Sequence, residues 1–154
     1  SSHPLGEKAK LRYFYFKKYP RLKKYLSLLL ENIFANTIYQ QDLRPIIIDL
    51  VSDQDFLNLY HQLIKDEKAI QAFSTSAINY FYSLRYYLRK TDYKPDFDPQ
   101  RFLKIAKQID HQKNRTKLAL KIYLLTHCII GESYFYSRAI IDKKETYLQI
   151  IKEL

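Results

Sequence analysis

The chain has 154 residues, of which 47% are hydrophobic and 27% charged, so it is long enough for one domain with a buried core and is not typical of a disordered protein. Its formal net charge is +10, which favours acidic partners. It contains only 2 glycines, and this excludes the phosphate-binding loops of Walker and dinucleotide-binding enzymes, which need several glycines close together.

The single cysteine, Cys128, excludes an internal disulfide and a multi-cysteine metal site. An unpaired cysteine fits a reducing compartment, and we predict a cytoplasmic protein. No stretch of 18 apolar residues free of charge occurs, so no membrane span is predicted. The chain starts without methionine, and we expect it to be trimmed or excised from a longer chain. Residues 1–7 are then a linker or a cloning remnant, and residues 8–154 form a helical domain.

Apolar residues recur at three- and four-residue spacing along most of the chain, and this pattern predicts helices. The aromatic run at residues 11–16 also fits a strand, but helix is favoured because the chain offers no partner strand. Residues 22–34 form the first clear apolar helix face, and a second helix is predicted from about residue 42 to residue 50. Ser52 is predicted to cap the next helix, since the aspartates that follow it place negative charge in the first turn.

The second half of the chain continues the same pattern. A helix over residues 66–89 leads into a loop over residues 91–98, and Asp98-Pro99 combines a cap with a first-turn proline. A long helix is predicted over residues 114–141, and a short one closes the chain. The fold class is therefore all-α, a bundle of five to seven helices. Residues 118–130 are predicted to form its central helix, because they are apolar on nearly every side.

Basic side chains are concentrated in two blocks. Residues 1–24 hold eight basic side chains and one acidic, residues 25–80 hold three and seven, and residues 81–121 hold eleven and four. Such blocks attract phosphate backbones or acidic protein faces, and tyrosines among them can stack on exposed bases. The predicted binding surface consists of Lys10, Arg12, Lys17, Lys18, Arg21, Lys23, Lys24, Tyr82, Arg85, Tyr86 and Arg89.

Two observations limit the chemistry of the chain. The histidines His3, His61, His111 and His127 never stand three or four residues apart, as zinc ligands on a helix usually do. No repeated Glu-x-x-His motif of a di-iron bundle occurs either. No metal, cofactor or catalytic set is therefore predicted.

One helix face forms a possible pocket. It carries Tyr123, His127, Gly131, Tyr134 and Arg138, so that a glycine lies among hydrogen-bonding rings and a guanidinium. The glycine can make room for a small ligand, or it can simply allow a close approach of another helix. A histidine with an arginine on the same face can bind an anion or transfer a proton, although a buried histidine is commonly a satisfied core group.

These patterns predict a non-enzymatic helical binding module that docks an acidic macromolecule, with nucleic acid as the leading candidate. The first alternative is a protein–protein interaction or scaffold domain excised from a larger protein, which would bind an acidic protein face. The second alternative is a small-molecule-binding or catalytic bundle that uses the His127 face. Charged helical faces are also often merely solvated, so the position of the two basic blocks decides among these possibilities.

Overall fold

The computed structural model describes residues 4–154, except for the side chains of residues 4, 5, 7 and 8. Within these residues the chain forms nine helices and no strand. The helices are α1 (Pro4–Lys18), α2 (Leu22–Tyr39), α3 (Arg44–Leu50), α4 (Asp53–Ile64), α5 (Glu67–Phe73), α6 (Thr75–Tyr87), α7 (Pro99–Lys107), α8 (Arg115–Glu132) and α9 (Lys144–Glu153). The predicted all-α class is confirmed, but the predicted count of five to seven helices is too low.

The predicted helix bounds fail at two places, and only the first of them adds a helix. The segment predicted as one helix over residues 66–89 is divided at Ser74, which has φ of 43° and separates α5 from α6. The long helix predicted over residues 114–141 ends at Glu132. Three consecutive aromatic residues that follow it, at positions 134–136, have positive φ. Positive φ in bulky residues is rare, so sequence patterns gave no signal for these breaks.

The predicted caps and the predicted aromatic helix are present. Ser52 Oγ accepts a hydrogen bond from the backbone N–H of Asp55 at 3.1 Å, and Asp98 Oδ1 accepts one from Gln100 at 3.0 Å. The aromatic run at residues 11–16 is helical and belongs to α1. This helix begins at Pro4, a residue well suited to a first helical turn, and so crosses the predicted boundary at residue 8. Residues 1–3 lie outside the described residues, and the origin of residues 1–7 stays a prediction.

The most buried helix is α6, whereas α8, which contains the predicted central residues 118–130, is buried only in part although it contacts five other helices. Ten of the 13 residues of α6 are buried, and the helix packs against α2, α4, α5 and α8. By contrast, Leu118, Ile122 and Tyr123 on α8 remain exposed. Apolar character on nearly every side of α8 therefore does not mean that every side of it is covered. Among the described residues, no helix has both the length and the apolar character needed to cross a bilayer.

The closest contact between α6 and α8 occurs at Gly131. A Cβ atom built there would lie 2.6 Å from Cδ2 and 2.7 Å from Cβ of Tyr82, well inside van der Waals distance. Tyr82 is buried and its hydroxyl is 2.7 Å from the hydroxyl of Tyr147, so its ring cannot retreat freely. The glycine therefore serves the close approach of two helices, which is the simpler of the two roles predicted for it.

We expect Gly131→Ala to lower the free energy of unfolding by about 1–3 kcal/mol, because the added methyl overpacks the contact with Tyr82. Gly6→Ala is the matched control, since a Cβ atom at Gly6 meets nothing within 4 Å and the residue lies in a helix. That substitution should leave stability unchanged or raise it by about 0.5–1 kcal/mol. Urea unfolding followed by circular dichroism measures both, and equal effects would contradict the proposed contact.

Candidate anion-binding cleft

A cleft of about 620 Å³ lies between the end of α6, the loop before α7 and the segment that joins α8 to α9. Five basic and three acidic side chains line it, which gives a net formal charge of +2. The basic residues are Arg85, Arg89, Lys94, Arg138 and Lys143, and the acidic ones are Asp96, Glu132 and Asp142. The structure thus brings Arg85 and Arg89 of the predicted basic surface together with Tyr134 and Arg138 of the predicted pocket.

The floor of the cleft is the carboxylate of Glu132, the last residue of α8, which is only 2% exposed. Arg85 Nη2 donates to Oε2 at 2.5 Å, and the Tyr147 hydroxyl donates to the same oxygen at 2.9 Å. Arg138 Nη2 donates to Oε1 at 3.1 Å. Charge-assisted bonds from two guanidiniums compensate for the removal of this carboxylate from water.

Two phenols extend the network into the core. The hydroxyls of Tyr147 and Tyr82 are 2.7 Å apart, and both rings are buried. Burial raises the pKa of Tyr147 and that of Tyr82 well above the usual range for a phenol, so both groups stay protonated. Tyr147 can therefore donate to Glu132 while it accepts from Tyr82, and each polar atom is satisfied.

Aromatic rings fix the guanidiniums of the cleft. Arg138 Cζ lies 3.7 Å from the centre of the Tyr134 ring, and Arg89 Cζ lies 3.9 Å from that of Tyr86. The two tyrosine rings meet edge to face with their centres 4.8 Å apart. Arg85 Cζ lies 5.1 Å from the centre of the Phe97 ring. Stacking of this kind holds an arginine in place and leaves its outer N–H groups available.

The positive charge of the cleft is only partly neutralised. Glu132 pairs with Arg85 and Arg138. For Arg89, Lys94 and Lys143, the part of the chain that the structure describes offers no carboxylate within ion-pair distance. These three side chains are the cations with which an external anion can pair.

The structure corrects part of the predicted surface. Tyr82 is 1% exposed and Tyr86 4%, so neither ring can stack on a base. In the sequence they stand near Arg85, on α6, and Arg89, just after its end, but this spacing does not show that their side of the helix is covered. The rings that are exposed near the cleft are Tyr93, which precedes Lys94, and Tyr136, in the turn before Arg138.

The part of the second block around Arg85 and Arg89 does not share a surface with the first block, whereas Lys117 of the second block lines a groove with Leu11 and Tyr15 of α1. The Tyr86 hydroxyl donates a hydrogen bond to Oδ1 of Asn36, which fixes the cleft near the C-terminal part of α2. The first block lies on α1 and at the start of α2, about 20 Å away along that helix. Of its members, Lys18 forms an ion pair with Asp66 at 2.7 Å. Its remaining predicted residues, Lys10, Arg12, Lys17, Arg21, Lys23 and Lys24, belong to the same distant region.

The predicted face around His127 does not form one pocket. Tyr123 is exposed, Gly131 faces the core, and Tyr134 and Arg138 lie beyond the end of α8 in the cleft. Nδ1 of His127 lies 2.7 Å from the carbonyl oxygen of Tyr123, to which the neutral ring donates. The prediction of a shared face is wrong because the helix ends at Glu132.

Glu132 is the residue of the cleft that sequence patterns missed. Its partners Arg85 and Tyr147 are 47 and 15 residues away in the chain. Among the described residues, no group of three histidine, cysteine or acidic side chains is arranged to hold a metal ion. The surplus of basic side chains in the cleft favours an anion over a cation.

We expect Glu132→Gln to lower the free energy of unfolding by about 3 kcal/mol, because it leaves Arg85 without a counter-charge in a largely buried position. Arg138→Gln should cost about 1 kcal/mol or less, since the Arg138 side chain is 38% exposed and its ion pair is screened. Urea unfolding of both variants measures the difference. Similar losses would contradict a central role for the carboxylate.

His127 should make stability depend on pH. Burial lowers its pKa, and its bond to the Tyr123 carbonyl opposes this only in part. The unfolded chain then binds the proton more readily, so stability falls as the pH drops through about 6.5. We expect His127→Gln to lose less stability than the parent protein between about pH 7.5 and 5.5, measured by urea unfolding. An identical loss would show that His127 does not contribute.

Comparison of the chain with protein-family models, curated protein sequences and solved structures gives no match. The geometry of the cleft is therefore the basis on which a function is proposed.

Proposed function

We propose that the chain is a non-enzymatic binding module that docks a phosphate group of an acidic partner in this cleft, with nucleic acid as the leading partner. The observation that carries the proposal is a group of cations without a carboxylate partner on one concave surface, Arg89, Lys94 and Lys143, of which Arg89 is held against the Tyr86 ring. Guanidiniums that are fixed before binding lose little conformational entropy when an oxyanion arrives.

The position of Glu132 supports an oxyanion as the ligand. Its carboxylate accepts hydrogen bonds from Arg85 and Arg138, and a planar oxyanion is the kind of group that guanidiniums bind well. A phosphate group offers more acceptor oxygens than a carboxylate and pairs well with arginine. The unpaired cations at the rim, Arg89, Lys94 and Lys143, supply the charge that a second anion requires.

Nucleic acid is favoured over a small phosphate ester because the surroundings of the cleft extend the site. Tyr93 and Tyr136 are exposed and flank the cleft residues Lys94 and Arg138 in sequence. Exposed rings next to cations suit a single strand, in which bases stack while phosphates pair with basic side chains. The uneven charge of the chain would also draw a polyanion toward it.

A protein partner is the second candidate, and a different surface favours it. Large apolar side chains are exposed at the end of α2 and along α3, namely Phe34, Ile38, Ile46 and Leu50. Exposed apolar groups in this number are typical of protein docking surfaces. In this case the domain is an interaction or scaffold module, and the basic cleft binds an acidic segment of the partner.

We expect the affinity for a single-stranded oligonucleotide to fall steeply with added salt, because bound phosphates release counterions. The double variant Arg89→Gln/Lys94→Gln should bind about tenfold more weakly and reduce the logarithmic salt slope by about 1.4, since two phosphate contacts are lost. Tyr93→Ala should weaken binding by a similar factor with an unchanged slope, because stacking releases few ions. Fluorescence anisotropy of a labelled oligonucleotide over a range of NaCl concentrations measures both quantities.

The matched control is Lys65→Gln/Lys104→Gln, which removes the same charge from two exposed positions on other helices. It should leave the affinity within about twofold of the parent protein, since only the long-range field changes. If the two double variants weaken binding equally, net charge rather than the cleft is responsible. If the parent protein binds no nucleic acid at low salt, the proposal is lost and the protein partner becomes the better candidate.

A further inference from the structure

The outer side of α1 exposes an aromatic pair to solvent. Tyr13 and Phe14 are each 63% exposed, and Leu11 beside them is exposed as well. The inner side of the same helix is packed, because the rings of Tyr15 and Phe16 contact Phe73 at centre distances of 6.0 and 5.2 Å. The outward rings are therefore not needed to hold α1 on the bundle.

Basic side chains surround this pair. Lys10 and Lys17 lie about one turn before and after it on the same side of α1, and Lys17 Nζ is 4.9 Å from the centre of the Tyr13 ring. The basic character continues past the end of the helix with the exposed residues Arg21, Lys23 and Lys24. No ion pair joins any of these five cations to another side chain that the structure describes.

We propose that this outer face of α1 docks the protein on an anionic lipid surface. Phe14 and Leu11 have no polar atoms and can enter the boundary between headgroups and acyl chains. Tyr13 suits the headgroup level, since it combines an apolar ring with a hydroxyl, and long lysine side chains reach past such residues to the phosphates. Four to eight basic residues next to an apolar helix face are typical of binding to anionic leaflets.

The charge and the apolar groups together favour lipid over nucleic acid at this face. A base can stack on Tyr13 or Phe14, but nucleic acid offers nothing for the aliphatic side chain of Leu11. The exposed rings also differ from the cleft, where the aromatic rings hold arginines and are largely covered. This surface lies about 20 Å from the cleft along α2, so the two proposals are independent.

The chain contains no tryptophan, so Phe14→Trp places a single fluorescent probe in the proposed face. We expect its emission to shift to the blue with vesicles of phosphatidylcholine and phosphatidylserine, to stay unchanged with phosphatidylcholine alone, and to return with added salt. Leu148→Trp is the matched control, since Leu148 is also exposed but lies on α9. Its emission should not change with either vesicle.

Co-sedimentation with the same vesicles tests the cations without altering an aromatic residue. Lys10→Gln/Lys17→Gln should bind at least tenfold more weakly, because each basic residue near an anionic leaflet contributes about fivefold to the affinity. Lys65→Gln/Lys104→Gln should bind like the parent protein, and far-ultraviolet circular dichroism verifies that all variants are folded.

Three outcomes would overturn the proposal. In the first, the Phe14→Trp probe does not shift and the parent protein does not sediment with anionic vesicles. In the second, the probes at positions 14 and 148 shift equally, which indicates adsorption without a defined face. In the third, a single-stranded oligonucleotide shifts the probe at position 14 while anionic vesicles do not, which assigns this face to nucleic acid. Loss of binding in the cleft variants alone would affect only the proposed function.

Discussion

The hydrogen bonds to the carboxylate of Glu132 fix the relative positions of three parts of the chain. Arg85 comes from α6, Tyr147 from α9, and Arg138 from the segment between α8 and α9. A carboxylate that is 2% exposed is costly to remove from water, and only several well-placed donors make such a position stable. The ends of α6 and α8 and the start of α9 therefore cannot move independently, and the cleft has its shape because of this constraint.

The same constraint reaches into the core through Tyr82. Its hydroxyl meets that of Tyr147, while its ring lies against the backbone of Gly131, the residue just before Glu132. A side chain at Gly131 would push the ring away and shift the hydroxyl that Tyr147 needs. The absence of a side chain at Gly131 thus allows α6 and α8 to lie close together. At this distance the Tyr82 hydroxyl can bond to that of Tyr147, which in turn bonds to Glu132. Packing and electrostatics are inseparable at this end of the bundle because both depend on one ring.

Sequence patterns were sufficient for the fold class and for several helix ends, because apolar periodicity and caps are local signals. They failed where structure depends on distant neighbours. Ser74 and residues 134–136 turn the chain with positive φ, although none of them is glycine, so tertiary contacts must impose these conformations. The predicted basic surface included two residues that line the cleft, Arg85 and Arg89, yet the sequence could not show which side of α6 is covered. Glu132 was not predicted because its hydrogen-bond partners include residues that are distant in the sequence.

The basic side chains of the cleft fall into two groups, of which one stabilises the fold and the other is available to bind an anion. Arg85 and Arg138 are bound to Glu132, which is anchored at a helix end and cannot leave, so these arginines mainly maintain the structure. An incoming anion must bind beside the carboxylate of Glu132 rather than replace it. The negative charge of this carboxylate repels the anion. Attraction must then come from Arg89 and the two rim lysines, which have no carboxylate partner among the described side chains. Stability and binding consequently depend on different residues of one cleft, and a substitution that affects one property need not affect the other.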